Sequence, residues 1–276
     1  MKNESVLDYY VYNEKLYNTK DDYGFKNCKG SLIYEVIRVI DGIALFEEDH
    51  LDRIRKSAMI LGHRVNKTNE EISKEIKILI DKNNIKNQNI KLICSSLEEE
   101  NQDFLAYFIK SYYPEKEIYE KGIHTILFKS ERENPNAKVI NNDFRTQVNE
   151  EIKKQGAFEA LLVNEEGFVT EGSRSNMFFI KDRKVFTAPA GDVLLGITRS
   201  EILKVCEELA IEVVEENIHI NDLKNIDGAF MSGTSVGVLP ISTIDNIRLA
   251  SVSNDLIQKI GEGYSDKVSK YIQSKK

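Results

Sequence analysis

Nowhere in this 276-residue chain does an apolar run approach the length that spans a bilayer. The opening residues, MKNESVLDYYVYNEK, carry a lysine but no apolar stretch behind it, so they do not read as a secretory signal. Cysteine is scarce. Cys28, Cys94 and Cys206 are scattered, with no CxxC spacing and no histidine cluster, which excludes a disulfide framework and a zinc site and suits a reducing cytoplasm. A basic surplus is missing too: 38 lysines and arginines face 45 acids, for a net charge of −7. Nucleic acid, which needs a basic surface, is therefore not the expected partner. There is no internal repeat and no low-complexity linker. What remains is a soluble, cytoplasmic protein with no resident metal and no membrane or nucleic-acid partner.

What is present is an ordinary globular composition, 41% hydrophobic and 30% charged, with enough length for one large domain or two modest ones. Strand-like alternation appears in YVYNEKLY, SLIYEVIRVI and GIALF. EEDHLDRIRKSAMILG then changes to helical spacing, with Leu51, Ile54, Ala58 and Leu61 on one stripe and Gly62 as the stop. Thr68 and Glu71 form a capping-box pattern that opens a second helix. Two further strand-like runs, NIKLICSS and FLAYFIKSYY, complete the first half. Beyond the strand GIHTILFK, Phe144, Val148 and Ile152 mark a helix. AFEALLVN, GFVTEG, SNMFFI and KVFTAP read as consecutive antiparallel strands, turning at Glu166-Gly167 and Asp182-Arg183. GITRSEILKVCEELAI and the C-terminal segment carrying Leu256, Ile260, Val268 and Ile272 are helices. The expectation is an α+β, two-domain protein: a smaller N-terminal α/β domain over residues 1–121 and a larger, strand-rich C-terminal domain over 122–276.

Four short stretches could carry chemistry. In LLGITRSEIL a glycine precedes a helix start, where first-turn amides and the helix dipole favour an anion, phosphate above all. A plain cap by Thr198 or Ser200 is the alternative. SGTSVGVLP is a second glycine-containing turn with two hydroxyls, either an amide nest or a simple strand-to-loop turn. In DHLDRIRKS, His50, Arg53 and Ser57 share one helix face. The arginine fork suits a phosphate, or is merely paired with Asp49 or Asp52. In VTEGSRSN, Glu171 at a strand end could hold a cationic heterocycle, or stand in water as a turn acid.

Taken in order, IYEVIRVIDGIALFEEDHLDRIRKSA, KVIN, GAFEALLVNEEGFVTEGSRSNMFFI, LLGITR and AFMSGTSVGVLPI resemble the fold-type IV pyridoxal-phosphate enzymes. These are the class IV aminotransferases, which include branched-chain and D-amino-acid aminotransferases and aminodeoxychorismate lyase. The resemblance covers nearly the whole chain. It implies that Lys138, heading KVIN, binds pyridoxal 5'-phosphate covalently and shuttles the substrate proton. It implies that Glu171 pairs with the pyridine nitrogen, and that Leu194 packs on the ring. Arg53, Ile197, Thr198 and Thr234 are implied as phosphate ligands. The partners it implies are a small amino acid, a 2-keto acid and a second copy of the chain in a homodimer.

Substrate choice is where the pattern departs. Tyr34 matches a substrate-facing position of the D-amino-acid enzymes, but their carboxylate-binding arginine and histidine have no counterpart in SSLEEENQD, which carries three glutamates. Asn89 and Lys91 stand where the branched-chain enzymes place a tyrosine and an arginine. Lys91 keeps the charge without the fork, so Thr234 and Ser235 take a larger share of the substrate carboxylate. Asn142 replaces a further tyrosine of the branched-chain type. The expected function is an aminotransferase of branched-chain type. A pyruvate-eliminating aminodeoxychorismate lyase is the alternative, and a D-amino-acid aminotransferase ranks behind it.

Overall fold

A computed structural model describes residues 3–130, 135–139 and 142–276. The chain divides into two compact units. The first comprises Met1–Tyr112, Ala137–Ile140 and Lys270–Lys276, and the second Tyr113–Asn136 and Asn141–Ser269. The division thus falls at 112/113 rather than 121/122, and two later segments belong with the first unit.

The first unit is built on β1 (Tyr9–Tyr12), β2 (Lys15–Asn18), β3 (Leu32–Ile40), β4 (Ile43–Ala44), β5 (Asn87–Ser95) and β6 (Asp103–Ile109). They form an antiparallel sheet in the order β2-β1-β6-β5-β3-β4. Strand β3 alternates strictly, burying Ile33, Glu35, Ile37 and Val39 while Tyr34, Val36 and Arg38 take the other face. Helices α2 (Glu47–Ile60) and α3 (Asn69–Asn83) bring Leu51, Ile54, Ala58, Ile72, Ile76 and Leu79 to the Ile33/Ile37/Val39 core. The Thr68/Glu71 capping box is present, with Glu71 N–H donating to Thr68 Oγ1 and Thr68 N–H to the Glu71 carboxylate. Gly62 follows α2 at φ +79°, a conformation that costs glycine little. The short helix α1 (Tyr23–Asn27), too brief to show a period, contributes Phe25 to an aromatic cluster with Tyr10 and Tyr107.

The second unit holds α4 (Lys116–Lys121), β7 (Ile123–Lys129), α5 (Asn142–Gln155), β8 (Glu159–Val163), β9 (Phe168–Gly172), β10 (Asn176–Lys181) and β11 (Lys184–Thr187). It continues with α6 (Ile197–Glu208), β12 (Val213–Glu215), β13 (Ile218–His219), β14 (Gly228–Gly233), β15 (Gly237–Ile244) and β16 (Ile247–Arg248). Helix α7 spans Asp255–Lys275. The strand order is β12-β11-β10-β14-β15-β7-β8-β9-β13, with β16 on β15.

The expected run of four consecutive antiparallel strands is corrected by this order. β8 pairs with β9 and β10 with β11, turning at Gly167 (φ +88°) and at Asp182 and Arg183 (φ +50° and +59°). β9 and β10, however, are not partners. The link between them is a tight turn, with Gly172 N–H donating to Ser175 O at 2.7 Å, and it is anchored to a buried carboxylate. Ser173 Oγ and Ser175 Oγ both donate to Glu159, at 2.6 and 2.9 Å, so the chain is tied back to β8 and leaves β9 for a new position. Among the described residues no helix is long and apolar enough to cross a membrane.

Candidate functional site

In the first unit the helix face His50–Arg53–Ser57 points inward, and all three residues are buried. Arg53 is not paired with Asp49 or Asp52, the neighbours expected on base rates. Its partner is Glu35, fully buried on β3: Nε donates to Oε1 at 2.7 Å and Nη2 to Oε2 at 2.5 Å. This fork-to-carboxylate geometry is the strong form of the pair. His50 Nδ1 lies 2.7 Å from Glu35 Oε2, so a neutral ring donates there. Sequence reasoning missed Glu35. The signal was its inward register among Ile33, Ile37 and Val39, where an acid demands a cation.

Burial alone pushes the Glu35 carboxyl up, but the Arg53 charge and the hydrogen bonds from Arg53 and His50 outweigh it and bring it down to about 2. Burial pushes His50 down, and although Glu35 draws it back, Arg53 and Lys138 add to the lowering. The native state therefore disfavours the imidazolium that the unfolded chain forms below about pH 6.5. His50 contributes stability that is full above 6.5 and declines as the pH falls from there. The Glu35 contribution survives until the pH falls toward 2. Chemical denaturation from pH 7.5 to 5 should show stability dropping with acid, and His50→Gln should flatten that slope.

Ser57 makes the link to the lysine singled out by sequence. Its Oγ accepts the Lys138 N–H at 3.2 Å, and Lys138 O accepts from Tyr34 N–H at 3.1 Å, beside the Ile33–Val139 bridge. Lys138 Nζ lies 4.9 Å from the centre of the Tyr34 ring. Lys91 on β5, opposite Val36 on β3 and Tyr107 on β6, has its ammonium 5.6 Å from the same ring. Its charge is met by Glu4 at 2.9 Å, so an incoming carboxylate would compete with Glu4 for it. The three glutamates of SSLEEENQD are exposed to solvent. The side chain of Asn142, and residues Ile140 and Asn141 of KVIN, lie outside the described residues.

In the second unit Glu171 is buried on β9, not a solvated turn acid. Leu194 N–H donates to its Oε2 at 3.3 Å, which joins the carboxylate to the loop entering α6. At the helix start the cap by Thr198 or Ser200 is not formed. Gly196 is the N-cap, no side chain caps the helix, and no acid occupies its first turn. Ser200 Oγ donates back to Gly196 O instead. Asn176 fixes the loop from β10: its Nδ2 donates to Leu194 O at 2.8 Å, and its Oδ1 sits where a Cβ on Gly196 would come within 2.2 Å. The glycine is thus required by a close approach. Ile197 and Thr198 are buried in the first turn, while Thr234 and Ser235 are half-buried in the β14–β15 turn, closed by Val236 N–H to Gly233 O at 3.1 Å. Ser232 Oγ, buried on β14 just before that turn, has no hydrogen-bond partner among the described residues.

The residues present fit a ligand with two opposite poles. A buried carboxylate suits a protonated heterocycle, and uncapped amides with a buried hydroxyl and an orphaned serine suit an anion. A cavity of about 660 Å³ in the same unit borders Glu171 but is a different place. Glu166, Asp192, Glu215 and Glu216 line it, a poor setting for an anion, and neither Thr198 nor Thr234 reaches it. Among the described residues no group of three or more His, Cys, Asp or Glu side chains could hold a metal ion.

Comparison with known proteins gives relatives in sequence and a match in fold. The "Probable branched-chain-amino-acid aminotransferase" of Rickettsia felis is 30% identical over 224 residues, 77% of each chain. The D-alanine aminotransferase of Staphylococcus epidermidis (strain ATCC 12228) is 31% identical over 258 residues, 89% of each. In fold, the chain matches the branched-chain aminotransferase from Thermobaculum terrenum in its PLP form with a TM-score of 0.81, at 20% identity over 96% of this chain and 94% of that one. The sequence model of amino-transferase class IV matches residues 32–244, and the chain belongs to that family.

Proposed function

We propose that this class IV aminotransferase uses pyridoxal 5'-phosphate to move an amino group between a branched-chain amino acid and a 2-keto acid. The observation that carries the cofactor reading is the Leu194 N–H bond to Glu171. It couples a buried carboxylate to the loop that opens, two residues later, into an uncapped helix start. Pyridoxal phosphate has a basic ring nitrogen and a phosphate, one for each pole. When bound, it supplies the electron sink that accepts the charge left on the substrate Cα.

The chain's own residues do the rest. Glu171 holds the proton on the ring nitrogen, and Leu194 packs on the ring. The amides of Ile197 and Thr198 and the hydroxyls of Thr198 and Thr234 bind the phosphate. Arg53 adds positive charge to that end, with Nε and Nη2 fixed by Glu35. Lys138 Nζ would hold the cofactor and, once displaced by the substrate amine, would serve as the base that takes the proton from the substrate Cα. Tyr34, Lys91, Thr234 and Ser235 form the substrate side. A homodimer in the cytoplasm, with a small N-terminal and a larger cofactor-binding domain, completes the reading.

The branched-chain choice is supported by the lack of an arginine and histidine in SSLEEENQD, which disfavours the D-amino-acid type; the three glutamates of that loop are solvated and do not bear on the choice. The purified holoenzyme mixed with L-leucine or L-glutamate should shift its cofactor absorbance as the amino group is transferred, and D-alanine should leave it unchanged. A shift with D-alanine alone would overturn the substrate class. No shift with any, but pyruvate released from aminodeoxychorismate, would make it a lyase.

A further inference from the structure

One fully buried carboxylate of the second unit, Glu159 on β8, is not among the groups assigned to the cofactor or the substrate. It is nonetheless surrounded by donors. Its Oε1 accepts from Ala160 N–H at 2.9 Å, from Ser173 Oγ at 2.6 Å and from Ser173 N–H at 3.2 Å. Its Oε2 accepts from Ser175 Oγ at 2.9 Å. Ser173 N–H is shared with Ala160 O at 2.9 Å, so side chain and backbone of β8 both hold the turn. Gly172 makes room for this. A Cβ there would collide with Ser175 Oγ and come within 3.3 Å of Glu159 Cδ. The turn held in this way runs directly out of Glu171. On the other side of Glu171 the strand pairing is irregular. Leu161 stands opposite Gly172 and Val163 opposite Val169, which leaves Thr170 and Glu171 both opposite Leu162. A bulge of this kind re-aims a side chain and interrupts the ladder that would otherwise fix it.

We infer that Glu159 is a positioning residue for Glu171, the carboxylate assigned to the cofactor's ring nitrogen. This rests on the cofactor reading given above. The hydrogen bonds form a closed circuit. Glu159 holds Ser175, and the next residue, Asn176, donates from Nδ2 to Leu194 O at 2.8 Å. Leu194 N–H in turn donates to Glu171 Oε2 at 3.3 Å. Ser173, two residues past Glu171, closes the circuit on Glu159 from the other end. With the ladder interrupted at the bulge, this circuit fixes the Glu171 carboxylate relative to the Leu194 loop. A carboxylate offers lone pairs on two oxygens to several donors at once. An amide side chain keeps one such oxygen, and an alanine none.

Two ligands separate this role from a merely structural one: pyridoxal 5'-phosphate, and its 1-deaza analogue, in which a C–H replaces the ring nitrogen. Only the first can pair with Glu171, whereas a general loosening of the fold would weaken both equally. Titrating the cofactor-free protein, we expect the wild type to prefer pyridoxal 5'-phosphate by about 10- to 100-fold, the worth of a charged hydrogen bond. Glu159→Ala should cut that preference by about tenfold. Glu159→Gln, which keeps one acceptor oxygen for the turn, should recover most of it. Ser175→Ala removes a single bond and leaves the core filled, so it carries the test if Glu159→Ala does not fold. For it we expect a loss of about threefold. A preference unchanged by Glu159→Ala or by Ser175→Ala, an equal loss for both ligands, or no recovery with Glu159→Gln would overturn the inference while leaving the cofactor reading intact. A wild-type protein that binds both ligands alike, or takes up neither, would overturn the Glu171 assignment as well.

Discussion

Lys138→Ala should lower turnover by on the order of 10⁴-fold, since it removes both the amine that binds the cofactor and the group that moves the substrate proton. The visible absorbance of the lysine-bound cofactor should vanish with it. The fold should survive. Backbone contacts to Ser57 and Tyr34 hold the Lys138 segment, and its side chain is half-buried over Tyr34. An unchanged far-ultraviolet circular dichroism spectrum would establish that. Turnover within tenfold of wild type would remove Lys138 from the mechanism.

Glu35→Gln should have the largest effect on stability of any single change at the site. The Arg53 fork is nearly fully buried, and its neutralising charge comes from a carboxylate with no exposure at all. Breaking such a pair from one side typically costs about 3–5 kcal/mol, because the remaining charge stays in a poorly solvated place. Urea unfolding should show the midpoint falling accordingly. A loss below about 1 kcal/mol, the range of surface pairs, would mean that Arg53 finds other solvation. The same pairing changes what Arg53→Ala would report. It strands Glu35 as well as removing the proposed phosphate ligand, so Arg53→Lys is the cleaner probe of cofactor affinity.

The sequence disclosed the local structure well, and the site in pieces. Thr68 and Glu71 announced a helix because a capping box is a contact between residues three apart. Gly167 and the Asp182-Arg183 pair announced hairpins for the same reason. The order of the second sheet was not readable, since β7 lies between β15 and β8 and nothing local to Ile123–Lys129 encodes that choice. At the site, the glycine before the helix start was legible, but only the Asn176 contact shows why a side chain is barred there. Glu35 was in plain view as an acid in an apolar register.

The most direct test of the account is to locate the cofactor chemically. The holoenzyme is reduced with borohydride, digested, and its peptides are sequenced by mass spectrometry. The phosphopyridoxyl group should sit on Lys138 and on no other lysine. Finding it on a different residue, or recovering no modified peptide from a protein purified with the cofactor, would contradict the central claim.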